Sequence, residues 1–89
     1  MEVARLVGLE VREYVGRDGQ QKRYVGLHLC HLEGAFEGVK GSKVEAVSCP
    51  RNVPVERLEL GRLYELEYEV YDTRNGKAAR LADLVLVEE

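Results

Sequence analysis

The chain has few or none of the features that mark disulfide-rich, membrane-spanning or secreted proteins. It has only two cysteines, Cys30 and Cys49, which is too few for a disulfide framework, so we expect two reduced, half-buried thiols. No apolar run approaches the roughly 18 residues that a membrane-spanning helix needs, and no signal-peptide pattern is visible. These absences predict a cytoplasmic protein that has no membrane partner.

Catalytic signatures are missing as well. The sequence has no Gly-rich phosphate loop, no nucleophile elbow and no pair of carboxylates in an evident cleft. Its 89 residues predict a single domain over residues 1–89, with a core too modest to enclose a binding cavity. We therefore predict a protein that is not an enzyme, needs no cofactor and works through its surface.

The sequence also lacks a metal motif of recognisable spacing. His28, Cys30 and His31 form a short His-x-Cys-His run, with Cys49 further along the chain. On a strand, however, His31 points away from His28 and Cys30, and the spacing matches no zinc motif. The favoured interpretation is a plain strand without a bound metal, and a metal-binding regulator remains an alternative.

A basic excess, which is usual for domains that bind nucleic acid, is absent too, because the net charge is −3. The charges are nevertheless separated along the chain. Residues 56–71 hold five glutamates against two arginines, whereas residues 74–80 hold three cations and no acid. Since the local field matters more than the sum, a local basic surface remains possible.

Two hairpin turns are the clearest features that the sequence does have. Residues 16–20 contain Asp18-Gly19 and residues 72–76 contain Asn75-Gly76, dipeptides that tolerate the positive dihedral angles of tight hairpins. Each turn lies between runs that alternate apolar and polar residues, and each is flanked by cations. Two protruding basic hairpins are a plausible means of binding a polyanion.

The alternating runs predict five strands, over residues 3–15, 22–32, 42–49, 64–70 and 77–87. Gly8 within the first strand predicts a bulge or a sharp bend. Residues 55–60 are the only segment that could hold helix, and then only a short turn of it. Together these features predict an all-β fold, a five-stranded OB-fold-like Greek-key barrel with long protruding hairpins. An SH3-like barrel is the structural alternative, although its strands are usually shorter.

A protein that binds single strands also needs aromatic rings, because bases stack on them for roughly 1–3 kcal/mol each. Tyr24 directly follows two cations, Tyr14 lies across the same hairpin, and Phe36 is an apolar ring in the glycine-rich loop 33–41. Tyr64 and Tyr68 share the parity of the apolar residues of their strand and are assigned to the core. The predicted nucleic-acid-binding residues are Arg17, Lys22, Arg23, Tyr24, Phe36, Lys43, Arg74, Lys77 and Arg80.

The order of these features resembles the small single-stranded-DNA-binding proteins of filamentous phages and of Gram-positive phages or conjugative elements. The matching stretches are residues 17–24, Leu29-Cys30, residues 60–64 and residues 76–87, together with Met1-Glu2-Val3 and Tyr14-Val15. The resemblance implies an OB-fold chain that coats single strands as a homodimer during DNA replication. It makes Arg17, Lys22 and Arg23 a DNA-binding wing, Tyr24 a stacking residue, and the second hairpin a subunit contact.

We therefore expect a homodimer that binds single-stranded DNA with little sequence preference, through phosphate contacts and base stacking. RNA remains a possible partner, because nothing in the sequence senses a 2′-hydroxyl. The alternative is a protein–protein interaction module of the same shape, in which the glutamate-rich fourth strand is the working surface.

Overall fold

The computed structural model describes residues 2–34 and 36–87; Met1, the first residue of one stretch behind the resemblance, lies outside the described residues. Within the described residues the chain forms five strands and one 3₁₀ turn, and the prediction of an all-β fold with at most one helical turn is confirmed. The elements in chain order are β1 (Glu2–Val15), β2 (Gln21–His31), β3 (Val44–Ser48), the 3₁₀ turn (Val55–Arg57), β4 (Leu63–Thr73) and β5 (Gly76–Leu86).

The five strands form one antiparallel sheet in the order β3-β2-β1-β4-β5. β1 lies at the centre and pairs with β2 along most of its length, but with β4 only through residues 2–5. β3 and β5 are the two edges of this sheet, and no ladder joins them in the described part of the chain. The sheet is therefore open, and the barrel closure that the sequence predicted is not present in the pairing.

A bulge in β1 changes which side chains share a face. The register shifts between Leu6 and Gly8, so that Val7 has no residue opposite it on β2. A Cβ built on Gly8 would lie 2.8 Å from Nδ1 of His28, so this position has no room for a side chain as His28 is placed. The prediction of a bulge or a sharp bend at Gly8 is thus confirmed, and the missing side chain at this position leaves room for the His28 ring.

The core lies on one face of the sheet, which we call the inner face. Its buried hydrophobic residues come from four of the five strands, and half-buried Leu9, Val47, Cys49, Val53 and Leu58 pack against them. The assignment of Tyr64 to the core is confirmed, because this residue is buried and its hydroxyl accepts a 2.8 Å hydrogen bond from the Glu59 amide. The buried core residues are Ala4, Leu6, Leu27, Leu29, Tyr64, Leu66, Leu81 and Leu84.

Two hairpins extend beyond the short β1–β4 ladder. Residues 7–28 form the first arm, at the tip of which lie residues 16–20, and residues 67–83 form the second arm, with Arg74 and Asn75 at its tip. Because β1 and β4 are antiparallel, the two arms leave the shared ladder in opposite directions along the sheet. No helix among the described residues is long and apolar enough to cross a membrane.

Candidate nucleic-acid interface

The face opposite the core, which we call the outer face, carries two adjacent ring–cation pairs on the first arm. Arg12 lies opposite Tyr24, and Tyr14 lies opposite Lys22 in the next pair of the same face. Residues two apart on a strand are separated by about 6.8 Å, so the four side chains form a compact array. Rings and cations alternate within it, which is the combination that stacking on bases and neutralising phosphates requires.

Tyr24 lies along the sheet rather than projecting from it. A Cβ built on Gly26 would lie 3.1 Å from Cε1 of Tyr24 and 3.2 Å from its hydroxyl oxygen, so the ring rests against the bare backbone of this glycine. The guanidinium carbon of Arg12 is 5.3 Å from the ring centroid, within cation–π range. Tyr24 is half-buried by these contacts, whereas Tyr14 is 51% exposed and accessible to a ligand.

The Glu10 carboxylate orients the array at the end that lies nearer the β1–β4 ladder. Oε1 of Glu10 lies 2.7 Å from Nε of Arg12, and its other oxygen lies 3.6 Å from Nε2 of His28. All three side chains are solvent-accessible, so the contacts position the groups more than they stabilise the fold. The Arg12 guanidinium is thus held between a carboxylate and an aromatic ring.

The other predicted residues of the first hairpin are not on one face. Lys22 lies on the outer face and its Nζ is 3.8 Å from Oδ2 of Asp18, whereas Arg23 lies on the inner face opposite Glu13. Arg17 is exposed in the turn between the strands. The fold therefore brings Lys22 and Tyr24 together and separates Arg23 from both.

The predicted cations of the second arm are also divided between the faces. Arg80 lies on the outer face, where it forms an ion pair with Glu69 and lies 4.9 Å from the ring centroid of Tyr71. Lys77 lies opposite Asp72 on the inner face, and Arg74 is exposed in the turn. This arm thus repeats the arrangement of the first arm, in which an arginine lies between a carboxylate and a tyrosine ring.

Phe36 and Lys43 form a cluster of their own beside the core. The ring of Phe36 packs edge-on against His31 with a centroid distance of 4.9 Å, and Nζ of Lys43 lies 4.5 Å from the Phe36 centroid. Phe36 is therefore half-buried between two cationic or polar groups and anchors the loop after β2. The structure does not bring this cluster together with the ring–cation pairs of the first arm.

Several carboxylates lie on the outer face of β4 and β5. Glu65, Glu67 and Glu69 alternate along β4 on this face, and Asp83 of β5 lies directly opposite Glu67. Like charges that face each other across a ladder are destabilising. The outer face of β4 and β5, which we call its acidic half, therefore carries these carboxylates beside Arg80 and Tyr71, whereas the outer face of the first arm carries Glu10 beside two cations and two rings.

A cleft of about 910 Å³ separates the two edge strands. Its walls come from β3 and the segment after it on one side, including Val47 and Cys49, and from residues 79–82 of β5 on the other, with Tyr68 between them. Burial raises the pKa of Tyr68 to about 12, together with the Glu2 carboxylate, which accepts a hydrogen bond from the phenol, and the charge of Glu45. At neutral pH this cleft therefore presents a protonated phenol beside carboxylates.

The cysteines and histidines do not converge. Cys30 and Cys49 are free and half-buried, as the sequence predicted, and burial raises the pKa of the Cys49 thiol. His28 lies on the outer face and His31 on the inner face. Among residues 2–34 and 36–87, no three His, Cys, Asp or Glu side chains are grouped so that they could hold a metal ion.

Sequence reasoning did not select Arg12 or assign a binding role to Tyr14. The sequence contains only part of the necessary signal. The two-residue periodicity of a strand places Arg12 and Tyr14 on one face of the sheet, but it does not indicate which residues of which strand lie opposite them. Comparison with known proteins adds no further assignment: no protein-family model, curated protein or solved structure matches this chain.

Proposed function

We propose that this protein binds single-stranded DNA with little sequence preference through the outer face of the first arm. The observation that carries this proposal is the adjacency of the Arg12–Tyr24 and Tyr14–Lys22 pairs on one exposed face. In the proposed complex a base stacks on Tyr14, a second stacks against the Arg12–Tyr24 unit, and Lys22 neutralises a phosphate. No base edge is read, which accounts for the tolerance of sequence.

We also infer that the open sheet is of OB type. β1 pairs with β2 and β4, β2 pairs with β3, and β4 pairs with β5, which leaves only the β3–β5 contact for closure of a five-stranded barrel. The cleft between these two edges lies where that contact would form. In an OB barrel the 1–2 and 4–5 hairpins flank the nucleic-acid face, which supports the choice of the first arm.

Salt titration tests the proposal. Fluorescence anisotropy with a labelled oligo-dT probe should show tight binding at roughly 50 mM salt and steep weakening as salt is added. The reason is that lysine and arginine side chains displace counterions from the DNA phosphates that they bind. Lys22→Ala should reduce the slope of log K against log salt by about 1. The matched control is Arg57→Ala, which removes an exposed cation from the 3₁₀ turn and should leave the slope unchanged.

The neighbouring residues Lys22 and Arg23 then decide which face binds, because they lie on opposite faces of β2. A loss of slope in Arg23→Ala but not in Lys22→Ala would move the site to the inner face. Failure of the wild-type protein to bind oligo-dT at roughly 50 mM salt and micromolar protein would end the DNA proposal. Tighter binding of oligo-rU than of oligo-dT would change the partner from DNA to RNA.

A second candidate function is the binding of a cationic protein partner by the acidic half of the outer face. The facing carboxylates of Glu67 and Asp83 favour it, because a partner's cation would relieve their repulsion. If this is the working surface, oligo-dT should fail to bind at every salt concentration. In that case a Glu67→Gln variant would lose a partner that the wild-type protein retains.

A further inference from the structure

One edge of the first arm is unpaired along nine residues. The β1–β4 ladder ends at Arg5. At the next residue, Leu6, the partner is the loop before β4: the Leu6 amide donates to the Arg62 carbonyl, and the Leu6 carbonyl accepts from the Gly61 amide. From Val7 to Val15, no strand of the described chain lies beside β1 on the side away from β2. A two-stranded arm is marginally stable in water, and an unpaired edge is a template for another strand.

The backbone groups that reach this free edge can be identified. The Gly16 amide donates to the Gln20 carbonyl at 2.8 Å, which makes the alternate pairs Tyr14–Lys22 and Arg12–Tyr24 the ones that exchange hydrogen bonds. The Val25 carbonyl, opposite Val11, correspondingly accepts from Cys49 on the far side of β2. The amides and carbonyls of Leu9, Val11 and Glu13 therefore point to the free edge.

We propose that a second copy of this chain pairs with β1 through this edge, antiparallel and with Val11 opposite Val11 of the second copy. The contact is isologous, so every pairing occurs twice. Glu10 then faces Arg12 of the second copy on the outer face, and Leu9 faces Glu13 of the second copy on the inner face. The four opposed charges at residues 10 and 12 form two complementary pairs.

Among two-fold axes at residues 9–13, the axis at Val11 is the one that satisfies both the charges and the faces. A two-fold axis at Glu10, Arg12 or Glu13 would place that residue opposite its own copy, and like charges directly opposite are destabilising. An axis between two residues would set inner-face side chains against outer-face ones. An axis at Leu9 would extend the pairing to Leu6, whose edge is already bonded to residues 61 and 62.

The pairing has a consequence for the proposed binding face. It brings Val11, which is 47% exposed, against Val11 of the second copy, and it joins the two first arms edge to edge into one continuous antiparallel sheet. Because the two-fold axis is perpendicular to that sheet, the outer faces of both copies lie on the same side. This consequence for DNA binding rests on the proposed function: the joined face would present two ring–cation arrays and would bind a strand about twice as long as the strand that one copy binds.

The dimer is tested without nucleic acid. Sedimentation velocity at about 100 µM protein, where even a micromolar dimer is assembled, should give twice the 10.1 kDa mass of one chain. Val11→Asp places two carboxylates at the axis and should give the monomer mass. The matched control is Val70→Asp, a 66% exposed valine on the second arm, which is the subunit contact that the resemblance implied; this variant should remain a dimer if the edge of the first arm forms the interface. A wild-type monomer, or loss of the dimer in Val70→Asp alone, would overturn the proposal.

Exchange of the two charges distinguishes loss of the dimer contact from misfolding of a variant. Arg12→Glu should give a monomer, because two glutamates would face each other, and adding Glu10→Arg should restore the dimer. Failure of the double variant to dimerise while remaining folded by circular dichroism would count against the register. If the dimer forms but oligo-dT does not bind, only the proposed function fails; if oligo-dT binds to a monomer, only the dimer fails.

Discussion

Nε2 of His31 lies 2.7 Å from Oε1 of Glu45, across the ladder that joins β2 to the edge strand β3. His31 is only 2% exposed and also packs against the Phe36 ring, whereas the Glu45 side chain is partly accessible. One polar contact therefore ties an edge strand and a long loop to the core. Among the described residues no buried side-chain nitrogen or oxygen lacks a partner, and this bond satisfies the imidazole N–H.

Removal of the carboxylate should destabilise the protein. Glu45→Ala leaves a buried imidazole N–H unpaired, and we expect a loss of about 1–3 kcal/mol in the free energy of unfolding, measured by urea titration. The control is Glu67→Ala, which removes one of two facing carboxylates and should change stability by no more than about 0.5 kcal/mol. Equal losses in both variants would show that the His31 contact is not what holds β3.

Alkaline pH should destabilise the fold through Tyr68. Its folded pKa of about 12 exceeds the ordinary tyrosine value near 10, so between these values the unfolded chain loses a proton that the folded chain retains. Stability should therefore be complete below about pH 10 and should fall as pH rises toward 12. Urea midpoints in this range report it, and Tyr68→Phe should flatten the decline; an unchanged decline in Tyr68→Phe would refute the assignment.

Tyr14 should matter for affinity and not for stability. Its ring is about half exposed, so Tyr14→Ala should weaken oligo-dT binding by about 1–3 kcal/mol without changing the salt slope. The urea midpoint should stay within experimental error of the wild-type value. The comparison variant Tyr71→Ala removes a 40% exposed ring from the second arm and should leave affinity unchanged. If Tyr71→Ala is the variant that loses affinity, the second arm carries the site.

Tyr24 should affect both properties, because its ring contacts Gly26 and Arg12. Tyr24→Ala should lower the melting temperature and also weaken oligo-dT binding, again at constant salt slope. Gly26→Ala, whose methyl group would shift the ring by a few tenths of an ångström, should cause a smaller loss of affinity with the ring still present. A lower melting temperature at unchanged affinity in Tyr24→Ala would assign the ring to packing alone.

The strands could be predicted because their signals are local. Period-two alternation around Tyr64–Val70 and the Asp-Gly and Asn-Gly turns depend on neighbours in the sequence, and each predicted strand lies within two or three residues of an observed one at its ends. Gly8 as a bulge was predictable for the same reason. The separation of Arg23 from Lys22 also follows from alternation, but alternation does not indicate which of the two faces binds a ligand.

The chain by itself determined five strands, two tight hairpins and the exposure of charge at their tips, since these follow from alternation and turn chemistry within a few residues. Only the tertiary structure decided that Arg12 meets Tyr24, that Phe36 packs on His31, and that nine residues of β1 have an open edge. Those relationships depend on non-local pairing, and a single extra residue at Val7 shifts which side chains share a face.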